Sequence, residues 1–207
     1  MRRQLRWLPI LGILFLVASA GSNAGDGQKD KKTNGPPDYY PLQVGNQWSY
    51  KVTNNNKVFN QVNRISKTET INNQMLVRLD SPNVVATEHL FQNDKGIYRA
   101  RVSNFDISPP FLLLPYPAIV GAKWTGEFTA DKGKGAHKYA GVIQREESVE
   151  VPAGKFTALR TQIEVSEGGR TVRTTYWFVK DVGFVKQTTD TEGVSLVLEL
   201  EKFEKKK

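Results

Sequence analysis

Apolar and polar residues alternate along most of this chain, with the two-residue period of a β-strand. Leu42, Val44, Trp48, Tyr50 and Val52 share one parity, and the residues between Trp48 and Val52 on the other parity are polar. Alternation of this kind predicts a half-buried antiparallel strand, with one face in the core and the other in water.

A motif that introduces this strand occurs twice. Tyr40–Ser49 and Tyr116–Thr125 both read Y-P-x-x-V-G-x-x-W-[S/T]. Gly45 and Gly121 lie on the polar parity, where the missing side chain permits a bulge or a sharp bend. The inward parity of the second copy contains Ala118, Val120, Ala122, Trp124, Phe128 and Ala130. The tryptophan of each copy is therefore predicted to be a core residue.

A second pair of matching segments lies further along the chain. Residues 87–99 and 174–186 share the pattern T-x-x-[L/W]-F-x-x-D-x-G-[I/F]-x-[R/K]. The aspartate can accept a hydrogen bond from the turn backbone and the glycine can take a positive φ, so D-x-G predicts a hairpin turn. Two repeated motifs in the same order indicate a duplicated structural unit. The predicted repeat units are 39–106 and 115–203.

The class predicted for the folded part is all-β. Turn signals separate further segments that are rich in Val, Ile, Thr, Phe and Tyr, and no window has sustained helical periodicity. These segments are Val58–Glu69, Gln74–Asp80, His137–Val151, Lys155–Val165, Arg170–Lys180 and Val194–Phe203. We expect about ten strands in a curled antiparallel sheet or open barrel built from two related meanders, because this architecture accommodates long, consecutive strands better than a sandwich does. A β-sandwich is the alternative.

The N-terminus has the features of an export signal. Three arginines precede an apolar stretch, Leu8–Val17, which is too short to span a bilayer. Ala18-Ser19-Ala20 then supplies the small residues that signal peptidase requires, so cleavage is predicted between Ala20 and Gly21. The expected location is the periplasm or the extracellular space, with no transmembrane segment in the mature chain.

The predicted signal peptide, residues 1–20, leads into three further regions. Residues 21–38 contain almost no apolar side chains and are predicted to be a flexible linker. A single β domain is expected over residues 39–203, followed by a basic tail at 204–207. This length is ample for one domain with a sizeable core.

Composition and charge exclude several classes of protein. The chain has no cysteine, so after export its stability must come from the core without disulfides. The formal charge falls from +8 to about +5 after signal removal, and basic residues are scattered. A solvated linker and tail account for them, with weak attraction to an anionic envelope surface as the alternative. Nucleic-acid binding is not expected, because no dense basic face is visible.

Few residues are available for catalysis or metal binding. There is no G-x-S-x-G or H-E-x-x-H motif, and the two histidines, His89 and His137, are predicted to be ordinary surface residues. No metal or other cofactor is predicted. Glu146 and Glu147 are adjacent and would face opposite sides of a sheet. A carbohydrate-active enzyme would need a pair such as Glu127 with Glu147 to meet across a cleft.

One segment is both apolar and rich in proline. Residues 107–117 contain four prolines around Phe111-Leu112-Leu113-Leu114, which disfavours a helix or a central strand. The segment is expected to be a loop that either plugs the core or forms the apolar lip of a pocket. In the second case the candidate ligand-binding residues are Phe111, Leu112, Leu113, Leu114 and Tyr116.

Three stretches of sequence resemble a known group of proteins. They are Y-Y-P-L-Q-V-G-N-Q-W-S-Y at 39–50, V-E-V-P-A-G-K-F at 149–156 and Y-W-F-V-K-D-V-G-F-V-K at 176–186. They are similar to motifs of a widespread group of uncharacterised exported bacterial proteins, many of them lipoproteins. The resemblance implies a curved antiparallel sheet similar to the half-barrel of periplasmic lipoprotein carriers, and it implies no catalytic residues. This chain lacks the anchoring cysteine, and no helical plug is evident.

The sequence therefore predicts an exported, non-enzymatic β protein. The leading hypothesis is that it binds an apolar, lipid-like or amphipathic ligand, or an envelope component, in the concavity of its sheet. The first alternative is a structural or interaction module of the cell envelope, and the second is a carbohydrate-active enzyme.

Overall fold

The described part of the protein is one antiparallel sheet of twelve strands, rather than about ten. A computed structural model describes residues 38–55, 57–84, 86–130, 135–191 and 193–206. The predicted signal peptide, its cleavage point between Ala20 and Gly21, and nearly all of the predicted linker lie outside the described residues.

The strands follow one another along the chain with short connections. They are β1 (Gln47–Asn54), β2 (Lys57–Ile71), β3 (Gln74–Ser81), β4 (Ala86–Asn93), β5 (Gly96–Val102), β6 (Phe105–Pro115), β7 (Lys123–Phe128), β8 (His137–Val151), β9 (Gly154–Glu167), β10 (Arg170–Val179), β11 (Gly183–Thr191) and β12 (Val194–Glu204). A short 3₁₀ turn, Pro82–Val84, lies between β3 and β4. Of the helices in these ranges, none is long and apolar enough to cross a membrane.

The sheet is rolled into a nearly closed barrel. The spatial order is β6-β5-β4-β3-β2-β1-β12-β11-β10-β9-β8-β7, so each strand pairs with its chain neighbour and β1 pairs with β12. The two outer strands, β6 and β7, are joined by a bridge between Ser108 and Thr129. The structure therefore agrees with the open barrel, and it is a single sheet instead of the two sheets of a sandwich.

The proline-rich segment is a strand, so the expectation of a loop was wrong. It forms β6, an outer strand that pairs with β5 at positions such as Ile97 with Leu114 and Arg99 with Phe111. Proline cannot donate to a ladder, but an outer strand has one edge on which no donor is required. That edge position accommodates Pro109 and Pro110 in a strand.

Alternation along the first motif predicts burial correctly. Trp48, Tyr50 and Val52 are fully buried in the core. In the second copy the prediction holds for Phe128 but not for Val120, which is 49% exposed. The reason is that β7 begins only at residue 123, so the residues before it form an irregular connection in which strand parity does not apply.

The two copies of the motif have the same local backbone structure. Gly45 and Gly121 have φ values of 98° and 89°, as their predicted role at a bend requires. Each glycine donates its N–H to an isoleucine carbonyl, Ile65 or Ile143, at 2.8 Å, and the same isoleucine donates to the residue after the glycine. The copies begin β1 and β7, and the D-x-G motifs join β4 to β5 and β10 to β11. Both motif pairs are thus displaced by six strands, while the duplication itself stays a prediction.

Where the barrel closes, β6 packs across the inner face of β7 and β8 instead of beside β7. The indole of Trp124 donates to the Leu112 carbonyl at 3.2 Å, and the Leu112 N–H donates to the Tyr139 hydroxyl at 3.4 Å. Phe111 packs edge-on against Tyr139, with ring centroids 4.7 Å apart. Two aromatic side chains therefore hold β6 where a backbone ladder would hold a regular neighbour. We call this junction of β6 with β7 and β8 the seam.

Glycine makes room for these rings, and this gives a first prediction. A Cβ built on Gly141 would lie 2.2 Å from the Trp124 ring, so Gly141→Ala must displace the indole that holds Leu112. We expect a loss of about 1–3 kcal/mol in the free energy of unfolding, as for other overpacked cores.

Urea denaturation monitored by circular dichroism measures this loss. Gly135→Ala is the matched control, because a Cβ there meets nothing within 4 Å and its φ is not in the left-handed region. Equal stability of the two variants would show that the contact of Trp124 with Leu112 does not hold the seam.

Candidate functional site

An ion pair lies inside the barrel, on the face that the sequence marks as the core. Arg99 of β5 donates from Nε to Oε2 of Glu88 on β4 at 2.6 Å, and the two side chains are only 12% and 23% exposed. Arg99 also lies close to Tyr176 of β10, across the interior. The group therefore links strands of the first half of the sheet, β1–β6, to a strand of the second half.

Burial and neighbouring charges shift the pKa values of this group in opposite directions. Burial is the largest single influence on Arg99 and would lower its pKa, but Glu88 and Tyr176 together outweigh it, and the pKa of the guanidinium is raised. Burial raises the pKa of Tyr176, with the Arg99 charge opposing the shift. Arg99 is therefore a permanent cation, and its charge is neutralised within the barrel by Glu88.

A small cavity of about 40 Å³ adjoins the ion pair, and polar groups line much of its wall. The lining residues are Tyr40, Gln61, Asn63, Leu79, Glu88, Arg99, Leu113, Tyr176, Phe178, Phe184, Gln187 and Leu198. Gln61 and Ser81 both donate to the Asn63 side-chain oxygen, at 2.8 and 2.6 Å. Such a space holds about two or three water molecules, whereas small-molecule pockets measure roughly 300–1,000 Å³.

The predicted ligand-binding residues fill the core at the seam. Phe111, Leu113 and Leu114 are buried, and Leu113 forms part of the cavity wall. Leu112 and Tyr116 are half-buried. These five side chains contribute to packing in the nearly closed barrel, and the buried three are shielded from solvent.

Both histidines are buried, so their prediction as surface residues was wrong. His89 is 5% exposed, and its Nε2 lies 2.7 Å from a carboxylate oxygen of Glu69. Hydrogen bonds from Lys67 and His89 lower the pKa of Glu69 to about 2. His137 stacks on Phe128, with ring centroids 4.9 Å apart. Within the described ranges, no three His, Cys, Asp or Glu side chains are grouped closely enough to hold a metal ion.

The carboxylate pair considered for glycoside hydrolysis does not meet. Glu127 is in register with Lys138 near the start of β8, while Glu147 lies nine residues further along that strand. At about 3.3 Å per residue the separation is on the order of 30 Å, well beyond the spacing that either glycosidase mechanism uses. Glu147 instead accepts a hydrogen bond from the Trp177 indole at 2.7 Å on the outer face.

The group formed by Glu88, Arg99 and Tyr176 was not predicted from the sequence, although a signal was present. Glu88 shares the parity of Leu90, and Arg99 shares the parity of Ile97, both of which are core residues. Opposite charges on the inward parity of one predicted hairpin indicate a buried ion pair. The contribution of Tyr176 could not be foreseen, because it depends on how the barrel closes.

No protein-family model matches the chain, and no curated protein does. Similar solved structures include a candidate lipoprotein from Parabacteroides distasonis, with a TM-score of 0.54 and 13% identity over 83% of this chain and 100% of that one. A candidate exported protein with a YmcC-like fold from Bacteroides fragilis has a TM-score of 0.49 and 13% identity, over 82% and 100% of the two chains. At this identity, the likeness to the first structure shows the fold alone.

The interior ion pair gives a second prediction. Arg99→Met leaves the Glu88 carboxylate buried without its partner, so we expect a loss of about 3–5 kcal/mol in the free energy of unfolding. The double variant Glu88→Gln/Arg99→Met removes both charges and should lose less than the sum of the single changes.

Urea unfolding of the four proteins in this cycle measures the coupling. Lys202→Met is the control, because Lys202 pairs with Glu204 at 2.9 Å on the surface, where such pairs contribute about 0–1 kcal/mol. If Arg99→Met were no more destabilising than Lys202→Met, the interior pair would not be a structural link between the two halves.

Proposed function

We propose that this protein is an exported, non-enzymatic component of the bacterial cell envelope that works as an interaction module. In this proposal a rigid barrel, filled by its own side chains, presents its outer surface and strand edges to a partner. The export signal and the resemblance to exported bacterial proteins support the location.

The observation that carries the proposal is how little space the described residues leave beside the interior ion pair. The cavity of about 40 Å³ is far smaller than an apolar ligand requires, and its wall bears the charges of Glu88 and Arg99. Placing an acyl chain there would strip water from these charges without replacing it by polar contacts. Recognition on the outside of the barrel has no such cost.

A second candidate function is binding of an apolar or amphipathic ligand behind β6. The seam favours it, because two aromatic side chains hold Leu112 there in place of a backbone ladder. Movement of β6 would expose the predicted residues Phe111, Leu113 and Leu114 to an entering ligand. The two candidates differ in the molecule that is found with the protein from its host: an envelope protein for the interaction module, and an apolar ligand for the second candidate.

The third prediction distinguishes the interaction module from the ligand-binding protein. Protein purified without detergent from its own host should show, by native mass spectrometry, only the polypeptide mass that follows cleavage between Ala20 and Gly21. Cross-linking in intact cells through exposed lysines should connect it reproducibly to one envelope protein. Cells lacking the chain, and cells with an exported unrelated β protein carrying the same tag, are the controls.

Two other results would contradict the proposal. A stoichiometric apolar adduct in the mass spectrum, without a reproducible cross-linked protein, would replace the interaction module by the second candidate. A mass that retains residues 1–20 would contradict export by signal-peptide cleavage.

A further inference from the structure

The outer edge of β7 carries backbone groups that β6 does not cover. Thr129, just after β7, exchanges hydrogen bonds of 2.8 and 2.9 Å with Ser108. Backbone groups of alternate residues point to the same edge of a strand, so those of Glu127, Thr125 and Lys123 lie on the Ser108 side. The described strands pair with β7 only through β8 on its other edge, apart from the single bridge at Thr129.

Proline and packing explain why the ladder stops after one bridge. Continuing the register from Ser108 and Thr129 would place Pro110 opposite Glu127. Pro110 has no N–H to donate to the Glu127 carbonyl. Beyond it, β6 turns onto the inner face, where Leu112 is bound by aromatic side chains. The side chains of Lys123, Thr125 and Glu127 remain exposed.

The corresponding edge of β1, in the first copy of the motif, shows which kind of segment can pair with such an edge. The first copy of the motif is covered by β12, with Gln47 opposite Glu204 and Ser49 opposite Lys202. The chain continues past β12, and the Lys206 N–H donates to the Asn46 side-chain oxygen at 2.8 Å. The counterparts of Gln47 and Ser49 in the second copy are Lys123 and Thr125, by the shared motif.

The surroundings of the two motif glycines show how the two copies differ. A Cβ on Gly45 would lie 2.6 Å from the side chain of Lys206, whereas a Cβ on Gly121 would meet nothing within 4 Å. The backbone around both glycines makes the same hydrogen bonds. One copy is therefore covered by an extended chain, and the other presents the same edge to solvent.

We propose that the β7 edge, residues 121–127, is a strand-addition site that binds an extended polypeptide segment of a partner protein. The added strand runs antiparallel to β7, as β12 runs beside β1, and its backbone pairs with Lys123, Thr125 and Glu127. A carboxylate opposite Lys123 complements its charge, in the position that Glu204 has opposite Gln47. This inference rests on the proposed interaction module and names its surface and the chemistry of its partner.

A peptide from the chain itself is the probe. A fluorescent synthetic peptide with the sequence of residues 194–206, the segment that covers the β1 edge, should bind the mature protein in an anisotropy titration. Thr125→Pro removes one outward N–H and leaves the pairing with β8 intact, so we expect the affinity to fall about tenfold or more. Thr125→Val keeps the N–H and should bind as the wild type does.

Hydrogen exchange gives a readout that does not depend on the variants. Saturating peptide should slow exchange of the Lys123, Thr125 and Glu127 amides in the wild-type protein, and a peptide N-methylated at alternate residues should not. Binding that is unchanged in Thr125→Pro, or protection confined to β1 and β12, would overturn the proposal. So would concentration-dependent dimers that Thr125→Pro abolishes, since the edge would then belong to a second copy.

Cross-linking in cells distinguishes the failure of this inference from failure of the proposed function. An envelope partner captured equally by wild type and by folded Thr125→Pro would leave the interaction module standing and reject the β7 edge. Absence of any reproducible partner would reject the module itself. Circular dichroism and thermal midpoints establish that each variant is folded.

Discussion

Pairing of β1 with β12 is the interaction on which the rest of the structure depends. It joins strands from the two ends of the described chain through eight register positions, from Gln47 with Glu204 to Asn54 with Leu196. The other regular pairs join neighbours in sequence and could form locally as hairpins. Without the β1–β12 ladder, the two halves of the sheet would each have a second open edge and an uncovered apolar face.

Closure at β1–β12 also determines what lies inside the barrel. It brings Tyr176 of the second half to Arg99 of the first, so that the buried cation has both a carboxylate and a hydroxyl partner. Among the described residues, the cavity beside this group has room for about two or three water molecules. This small space is the reason that the leading proposal places recognition on the outside.

The opposite side of the barrel closes by different means. At the seam, proline interrupts the ladder and Trp124 and Tyr139 take over the hydrogen bonds of Leu112. This arrangement leaves the outer edge of β7 without a neighbouring strand among the described residues, apart from the bridge at Thr129. A short strand with charged residues is a usual protection against uncontrolled pairing, and it is also compatible with a specific partner strand. The interrupted ladder between β6 and β7 thus underlies both proposed binding sites, the one behind β6 and the one at the β7 edge.

Much of the fold could be predicted from local patterns. Alternation identified nearly all strands, and the D-x-G turns and the two motif glycines are where the sequence placed them. β6 was missed because proline excludes a central strand but not an outer one, and the order of strands is not encoded locally. The histidines were misjudged for a related reason, since burial of His89 and His137 depends on neighbouring strands that alternation does not specify.

The sequence alone therefore determined the class of fold, the positions of the turns and the inward parity of Trp48, Tyr50 and Val52, because these follow from short-range periodicity. It also predicted export, through a signal that needs no folding to be recognised. Tertiary structure alone decided that the described space beside the ion pair is small, that Tyr176 meets Arg99, and that one copy of the motif is covered while no described strand covers the other. These features depend on which distant strands meet, and that choice is made by the closure of the whole sheet.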